Sequence, residues 1–211
     1  MSRSIFAVLL LISIVSTTPN ARADEPQWFK GNIHTHSLWS DGDDFPEMIA
    51  LWYRDNGYHF LAISDHNILS RGEKWIELKD IEKRGGKGAV ERCIERFGDD
   101  WVVLRGEADE RAVKLKTLEE FRPRVEKDGE FILLEGEEIS DKYGKLPIHI
   151  NATNVGELVK PQGGSSVSDV IRRNVIAVRE QAERLGRDIL VHLNHPNFHY
   201  AVTAEDIATV T

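Results

Sequence analysis

Short apolar runs alternate along this chain with longer stretches whose apolar residues recur at three- and four-residue spacing. Residues 28–35 and 58–64 read as strands. Between them, residues 44–56 read as a helix, with Pro46 in its first turn and Gly57 just past its end. The charged stretch 71–98 keeps Val90, Cys93, Ile94 and Phe97 at helical spacing, but Gly85-Gly86-Lys87-Gly88 interrupts it, which predicts two helices. Residues 101–104, 131–134 and 148–152 predict further strands, the first two separated by a helix ending near Pro123. The loop 161–166 leads into the clearest amphipathic helix, where Val167, Val170, Ile171, Val175, Val178, Ala182 and Leu185 form one stripe that Gly186 closes. Residues 189–193 return as a strand. Strands alternating with helices predict an α/β fold on a mainly parallel sheet or barrel, with functional loops at the carboxyl ends of the strands.

Ahead of this pattern, Arg3 precedes an almost unbroken apolar run over residues 5–15, followed by Ala21-Arg22-Ala23. That is the pattern of a secretory signal peptide over residues 1–23, with cleavage expected after Ala23. The run is shorter than the roughly 20 residues needed to cross a bilayer. The expected product is therefore exported, periplasmic or secreted, with no membrane span. Residues 24–211 are expected to form one domain, and 41% hydrophobic with 29% charged residues is ordinary globular composition. Losing Arg3 and Arg22 takes the formal charge from −8 to −10, which argues against nucleic acid as the main partner. Cys93 is the only cysteine, so an internal disulfide and a thiolate zinc site are both excluded. Any metal must be held by nitrogen and oxygen.

The positions of the histidines and carboxylates suggest such a site. His34-Thr35-His36 closes the first expected strand, where residues two apart face the same way, and Asp41 follows in the next loop. The second expected strand delivers Ser64-Asp65-His66. Neighbours on a strand diverge, so one of Asp65 and His66 can bind a metal directly while the other orients a ligand or a water. After residues 131–134 come Glu135-Gly136-Glu137-Glu138, three carboxylates whose burial would be costly without a cationic partner. His149 lies in a later strand and His195-Pro196 follows the last one; His59, His192 and His199 carry no assignment. Each piece alone has a plain alternative: a polar strand end, a turn capped by Asp65, or acids entering a solvated loop.

Taken together, His34-Thr35-His36, Ser40-Asp41-Gly42, Ser64-Asp65-His66, Gly136-Glu137-Glu138, His149 and Asn194-His195-Pro196 resemble the PHP family, named for its polymerase and histidinol phosphatase members. The resemblance runs in order from about residue 29 to residue 198. It implies a distorted (β/α)7 barrel holding two or three divalent ions, zinc, manganese or iron, and hydrolysing phosphate esters. It also implies the ligand set His34, His36, Asp41, His66, Glu138 (rather than Glu135 or Glu137), His149 and His195. Family members continue past the H-P motif with further strands and an Asp-x-His pair. No such pair follows His195 here, and residues 204–211 look like the start of an element. A barrel incomplete at its C-terminus, from a shortened product or fragment, is therefore expected.

Imidazoles and carboxylates suit hard or borderline divalent ions with positions left open for water and substrate. A metal-bound water can fall to a pKa near 7, from about 15.7 in bulk, which supplies a metal-bound hydroxide as nucleophile. The expected substrate is a small-molecule phosphate ester. Arg71, after the Asp-His loop, and Lys145, before His149, are the candidates for phosphate contacts. Two alternatives use the same features: hydrolysis of an amide or carboxylic ester, and a non-catalytic metal-binding fragment. Oligomeric state leaves no signature in the sequence.

Overall fold

A computed structural model describes residues 26–107 and 110–210; the expected signal peptide lies outside the described residues. The chain forms β1 (Gly31–Asn32), α1 (Pro46–Asp55), β2 (Phe60–Ile63), β3 (Trp75–Glu77), α2 (Leu78–Gly85), α3 (Ala89–Phe97), β4 (Leu104–Arg105) and β5 (Ala112–Lys114). It continues through α4 (Leu118–Val125), β6 (Ile132–Tyr143), β7 (Leu146–Thr153), α5 (Val167–Leu185), β8 (Leu190–Leu193) and α6 (Ala204–Ala208). None of the described helices is long and apolar enough to cross a membrane.

Local chemistry explains the helix limits. Pro46 opens α1, where its missing N–H costs no hydrogen bond. Thr117 and Glu120 form a capping box on α4, which runs only two residues past Pro123. On α5, the Ser166 side chain accepts from the Asp169 amide, and Gly186 ends the helix in the left-handed region at φ 59°.

Five strands make a curled half-barrel sheet in the order β1-β2-β6-β7-β8. The pairs β1–β2 and β2–β6 are parallel, as the alternation of strands and helices predicts, but β6–β7 and β7–β8 are antiparallel. The mainly parallel expectation therefore holds for only one half of the sheet. The physical reason is the two-residue turn Gly144-Lys145. Gly144 has φ +60°, and a glycine at the first central position reverses the chain at once without a crossover helix.

Strand β6 joins the two halves. Ile132–Glu135 pairs with β2 along one edge, and from Gly136 onward the other edge pairs with β7, while a single parallel bridge from His66 to Glu138 continues the β2 side. At Gly136 a Cβ would come within 3.1 Å of the Ile63 carbonyl oxygen and 3.4 Å of that of Ala152. A side chain there would be tight against the backbones on both sides, and glycine eases their close approach.

A separate antiparallel sheet, β3-β5-β4, falls in and after the charged stretch read only as helices. The strand expected at 101–104 is a 3-10 turn, Asp99–Trp101, followed by the short β4. Apolar side chains gather in three places: between α5 and β6–β7, under α2 and α3 around Trp39 and Phe45, and between α1, α4 and the β2–β6 pair. The segments just past β2 and β8 carry polar residues instead, Ser64-Asp65-His66 and Asn194-His195.

Candidate metal centre

Glu138, two residues past the change of partner in β6, is fully buried. One ring nitrogen from each of five histidines points at its carboxylate. Oε2 lies 2.7 Å from His36 Nε2, 3.2 Å from His34 Nε2 and 3.3 Å from His66 Nδ1. Oε1 lies 3.0 Å from His195 Nε2 and 3.2 Å from His149 Nδ1, and accepts from the Asn194 amide at 2.8 Å. Asp41 stands at the rim, 68% exposed, with Oδ1 2.8 Å from His36 Nδ1 and Oδ2 3.5 Å from His66 Nε2. The structure thus brings together all seven expected ligands: His34, His36, Asp41, His66, Glu138, His149 and His195.

Strand β1 ends at Asn32, so His34 and His36 sit beyond the strand rather than at its end. They still face one way, because Thr35 between them is tied to β2's end. The Thr35 amide donates to Ser64 Oγ at 3.1 Å, and the Ser64 amide donates to the Thr35 carbonyl at 2.8 Å. That keeps the segment extended, and alternation turns both imidazoles inward. The loop then folds back on itself, and the Gly42 amide donates to the Ser37 carbonyl at 2.9 Å. A Cβ on Gly42 would lie 2.4 Å from the His36 carbonyl carbon, so the return path needs glycine.

The Asp65 side chain makes no hydrogen bond or ion pair to the rings among the described residues. Its carboxylate accepts from the Ser37 amide at 2.8 Å, Ser37 Oγ at 2.7 Å and Ser40 Oγ at 2.5 Å. Burial pushes its pKa up, and these hydrogen bonds only partly oppose that. It therefore works as the clamp of the loop that carries His36 and Asp41. His66, its neighbour, turns the other way, with Nδ1 against Ser140 Oγ.

Alternation along β6 sorts the three acids. Glu135 forms a bidentate ion pair with Arg71. Glu137 Oε2 accepts from the Val159 amide at 2.8 Å, while burial raises its pKa to about 7. Only Glu138 faces the histidines. Arg71 is accordingly occupied by Glu135, and Lys145 sits in the β6–β7 turn; neither has a hydrogen bond or ion pair to the cluster among the described residues. Of the histidines without an assignment, His59 accepts from the Lys30 amide at the far end of the sheet, and His192 stands opposite Asn151 on β7.

The donor set overfills its acceptor. A carboxylate offers about four lone-pair sites, yet five ring nitrogens and one amide crowd Glu138. His34 Nε2 and His36 Nε2 also face each other at 3.1 Å, and His149 Nδ1 is buried without a well-formed hydrogen bond. Lone pairs converging in this way fit divalent cations better than protons. Three groupings have the required spacing: His34, Glu138 and His195; His36, Asp41 and His66; and His66, Glu138 and His149.

Without a cation, the one ring whose charged form is clearly favoured is His36. Burial opposes ionisation of Glu138, but the close approach of His149 Nδ1 and the hydrogen bonds from His34, His36 and Asn194 outweigh it and hold the carboxyl well below the usual range. Burial likewise disfavours a charged His36, but Glu138 and Asp41 push it up to about 9. His66 is lowered, chiefly by burial.

Sequence reasoning assigned no role to Asn194 or Asn151. Asn194 Nδ2 donates to both Glu138 Oε1 and Asn151 Oδ1, and Asn151 Nδ2 donates to the Ile33 carbonyl at 2.7 Å. The Asn194-His195-Pro196 segment was the only signal available, because an amide has no charge or metal-binding spacing of its own.

No family model matches the chain. Large ribosomal subunit protein bL9 of Bacillus cereus is similar at 25% identity over 116 residues, which is 54% of this chain and 74% of that protein. The Bacillus mycoides counterpart is similar at 23% over the same length. A solved structure from Bifidobacterium adolescentis, provisionally named a metal-dependent phosphoesterase, is similar at 22% identity and a TM-score of 0.29. That likeness covers 61% of this chain, and the chain spans 29% of that structure's length.

Proposed function

We propose that this chain is a metal-dependent hydrolase and that its substrates are small phosphate esters. The observation that carries the reading is the convergence of five imidazoles on the buried Glu138 carboxylate. His34, His36, His66, Glu138, His149 and His195 would hold two or three divalent ions, zinc, manganese or iron, with Asp41 at the solvent side. Such ions supply Lewis acidity and an activated water. Support for phosphate esters over amides or carboxylic esters comes from the order of the motifs, which resembles the PHP family and its (β/α)7 barrel.

The chain's own residues prepare the site. Asn194 fixes one Glu138 oxygen, Ser140 fixes Nδ1 of His66, and Asp41 holds Nδ1 of His36 so that its Nε2 faces Glu138. Glu138 is held too far below the ordinary carboxyl range to carry a proton at neutral pH, so its role is charge. Asp65 keeps the His36–Asp41 loop in place. A ribosomal role receives no support from charge: a net −8 gives no general attraction for RNA. Export, with residues 1–23 removed, belongs to the same proposal; the mass of the mature protein would show it by a chain starting at Asp24.

The test is phosphate release by the metal-loaded chain from a panel of phosphomonoesters, beside matched carboxylic esters and amides. Turnover of the phosphate esters that disappears in the His34→Ala/His36→Ala variant is expected. Turnover confined to esters or amides, or no turnover with any metal, would overturn the assignment.

A further inference from the structure

Phe198 follows three residues after His195, in a 3-10 turn spanning Phe198–Tyr200. Its ring meets His195 nearly edge-on at 5.3 Å between centroids and lies tilted beside His149 at 5.7 Å. His199 stands perpendicular to it at 4.4 Å. Even so, Phe198 is 46% exposed. It touches two rings of the cluster and still presents apolar surface to solvent beside them.

The turn is fixed from both sides. The Phe198 amide donates to the His195 carbonyl at 2.8 Å, the Ala201 amide to the Phe198 carbonyl at 3.1 Å, and the Val202 amide to the Pro196 carbonyl at 3.2 Å. Ala201, the residue after the turn, is buried. His199 and Tyr200 both adopt φ +52°, a left-handed conformation uncommon for residues with large side chains. Such strain persists where the surroundings over-determine the backbone, and it gathers at sites that bind ligands. Packing on the histidines alone would account for the ring contacts. It would not account for an apolar face left open next to the nitrogens of His149 and His195, on a turn whose next two residues both hold a left-handed conformation.

We propose that Phe198 is a specificity-determining residue, a fixed aromatic wall that receives a planar apolar group attached to the bound phosphoryl. This rests on the reading of the cluster as a phosphate-ester site and narrows it to esters of aromatic alcohols over compact polar ones. Aromatic pairs contribute enough to favour an aryl group by roughly 3- to 10-fold.

Phenylphosphonate and methylphosphonate test this without any hydrolysis, because their carbon–phosphorus bonds are stable. Binding of each to the zinc-loaded full chain is measured by calorimetry, with metal content checked in every sample. The wild-type chain is expected to prefer phenylphosphonate by roughly 10-fold, a preference that shrinks to about twofold or less in Phe198→Ala and stays intermediate in Phe198→Leu. If Phe198→Ala loses its metal, Phe198→Leu decides the matter. Metal loss in both variants would assign Phe198 to packing and overturn the proposal. So would failure of the wild type to bind either phosphonate, absence of a phenyl preference, or a preference that survives substitution. A Phe198-dependent preference in a chain that turns over no phosphate ester would remove the hydrolase reading and leave this inference standing.

Discussion

Replacing Glu138 by Gln keeps the size of the side chain and removes the charge on which five rings converge. Asn194 donates to Oε1, so the new carboxamide keeps its oxygen there and turns its NH2 toward His34, His36 and His66. That NH2 cannot accept, and it meets ring nitrogens that stood 2.7 to 3.3 Å from Oε2. At an effective dielectric near 20, two unit charges about 3 Å apart attract by roughly 5 kcal/mol, and a dication by more. Part of this is returned, because Gln no longer has a buried charge to desolvate. Removing one partner from a buried charged set leaves a net cost of about 3–5 kcal/mol, and about 1.4 kcal/mol is tenfold in affinity. Metal affinity is therefore expected to fall at least about 100-fold. The assay is metal per chain by elemental analysis after gel filtration, beside Glu135→Gln and Glu137→Gln. Glu135 lies in an ion pair with a half-exposed Arg71, worth at most about 1 kcal/mol, and Glu137 faces Val159, so both of those variants should keep their metal. Wild-type metal content in Glu138→Gln, or a larger loss from Glu137→Gln, would refute the reasoning.

Burial holds the Glu47 carboxyl up at about 7, with hydrogen bonds from Trp101 and Cys93 only partly opposing it. An exposed Glu titrates near 4.3, so the unfolded chain gives up this proton first, and stability is lost as pH rises from about 4.3 through about 7, to a total of roughly 4 kcal/mol. Glu47→Gln should match the wild type in thermal unfolding near pH 4 and exceed it at pH 8; a difference that does not vary with pH would count against this account. Asp65→Asn removes the clamp on the His36–Asp41 loop and should weaken metal binding by about 10- to 100-fold, read by competition with a chelating dye. An unchanged affinity would show that the loop holds itself. Gly42→Ala places a methyl group 2.4 Å from the His36 backbone and should cost about 1–3 kcal/mol in urea unfolding; wild-type stability would mean the loop can open without loss.

The gathering of these histidines and acids was legible because their chemistry interrupts apolar runs: Asp65-His66 ends one, the acids at 135–138 end another, and His195 follows a third. Which of three neighbouring acids faces the centre follows from strand alternation only once the strand is known to continue through Gly136. The sequence reading ended that strand at residue 134. The β6–β7 hairpin was missed because period-two patterning marks a strand without giving its partner or its direction, and Gly144 is one glycine among several. Strands β3 and β5 were hidden by charge, since Trp75-Ile76-Glu77 is too short to show a period against the helices beside it. Asp65 carries the same side chain as a ligand would, and only its three bonds to Ser37 and Ser40 reveal a clamp. Arg71 looked free for a ligand because its partner Glu135 is 64 residues away.

The change of partner at Gly136 also divides the centre by the distance along the chain over which it must assemble. Ser140 and His149 face each other across a hairpin nine positions apart, whereas Ile63 and Glu135 pair across 72. Hairpins close in roughly 1–10 μs, while pairings between remote segments wait on the closure of long loops. Glu138 and His149 are therefore expected to come together early as a half-site. His34, His36 and His66 arrive only when β1 and β2 dock on the other half of β6. Cations held as proposed would bind both halves at once and so act on that late docking step: they would slow its reversal far more than they speed the hairpin, and metal-loaded chains should differ from metal-free ones chiefly in how slowly they unfold.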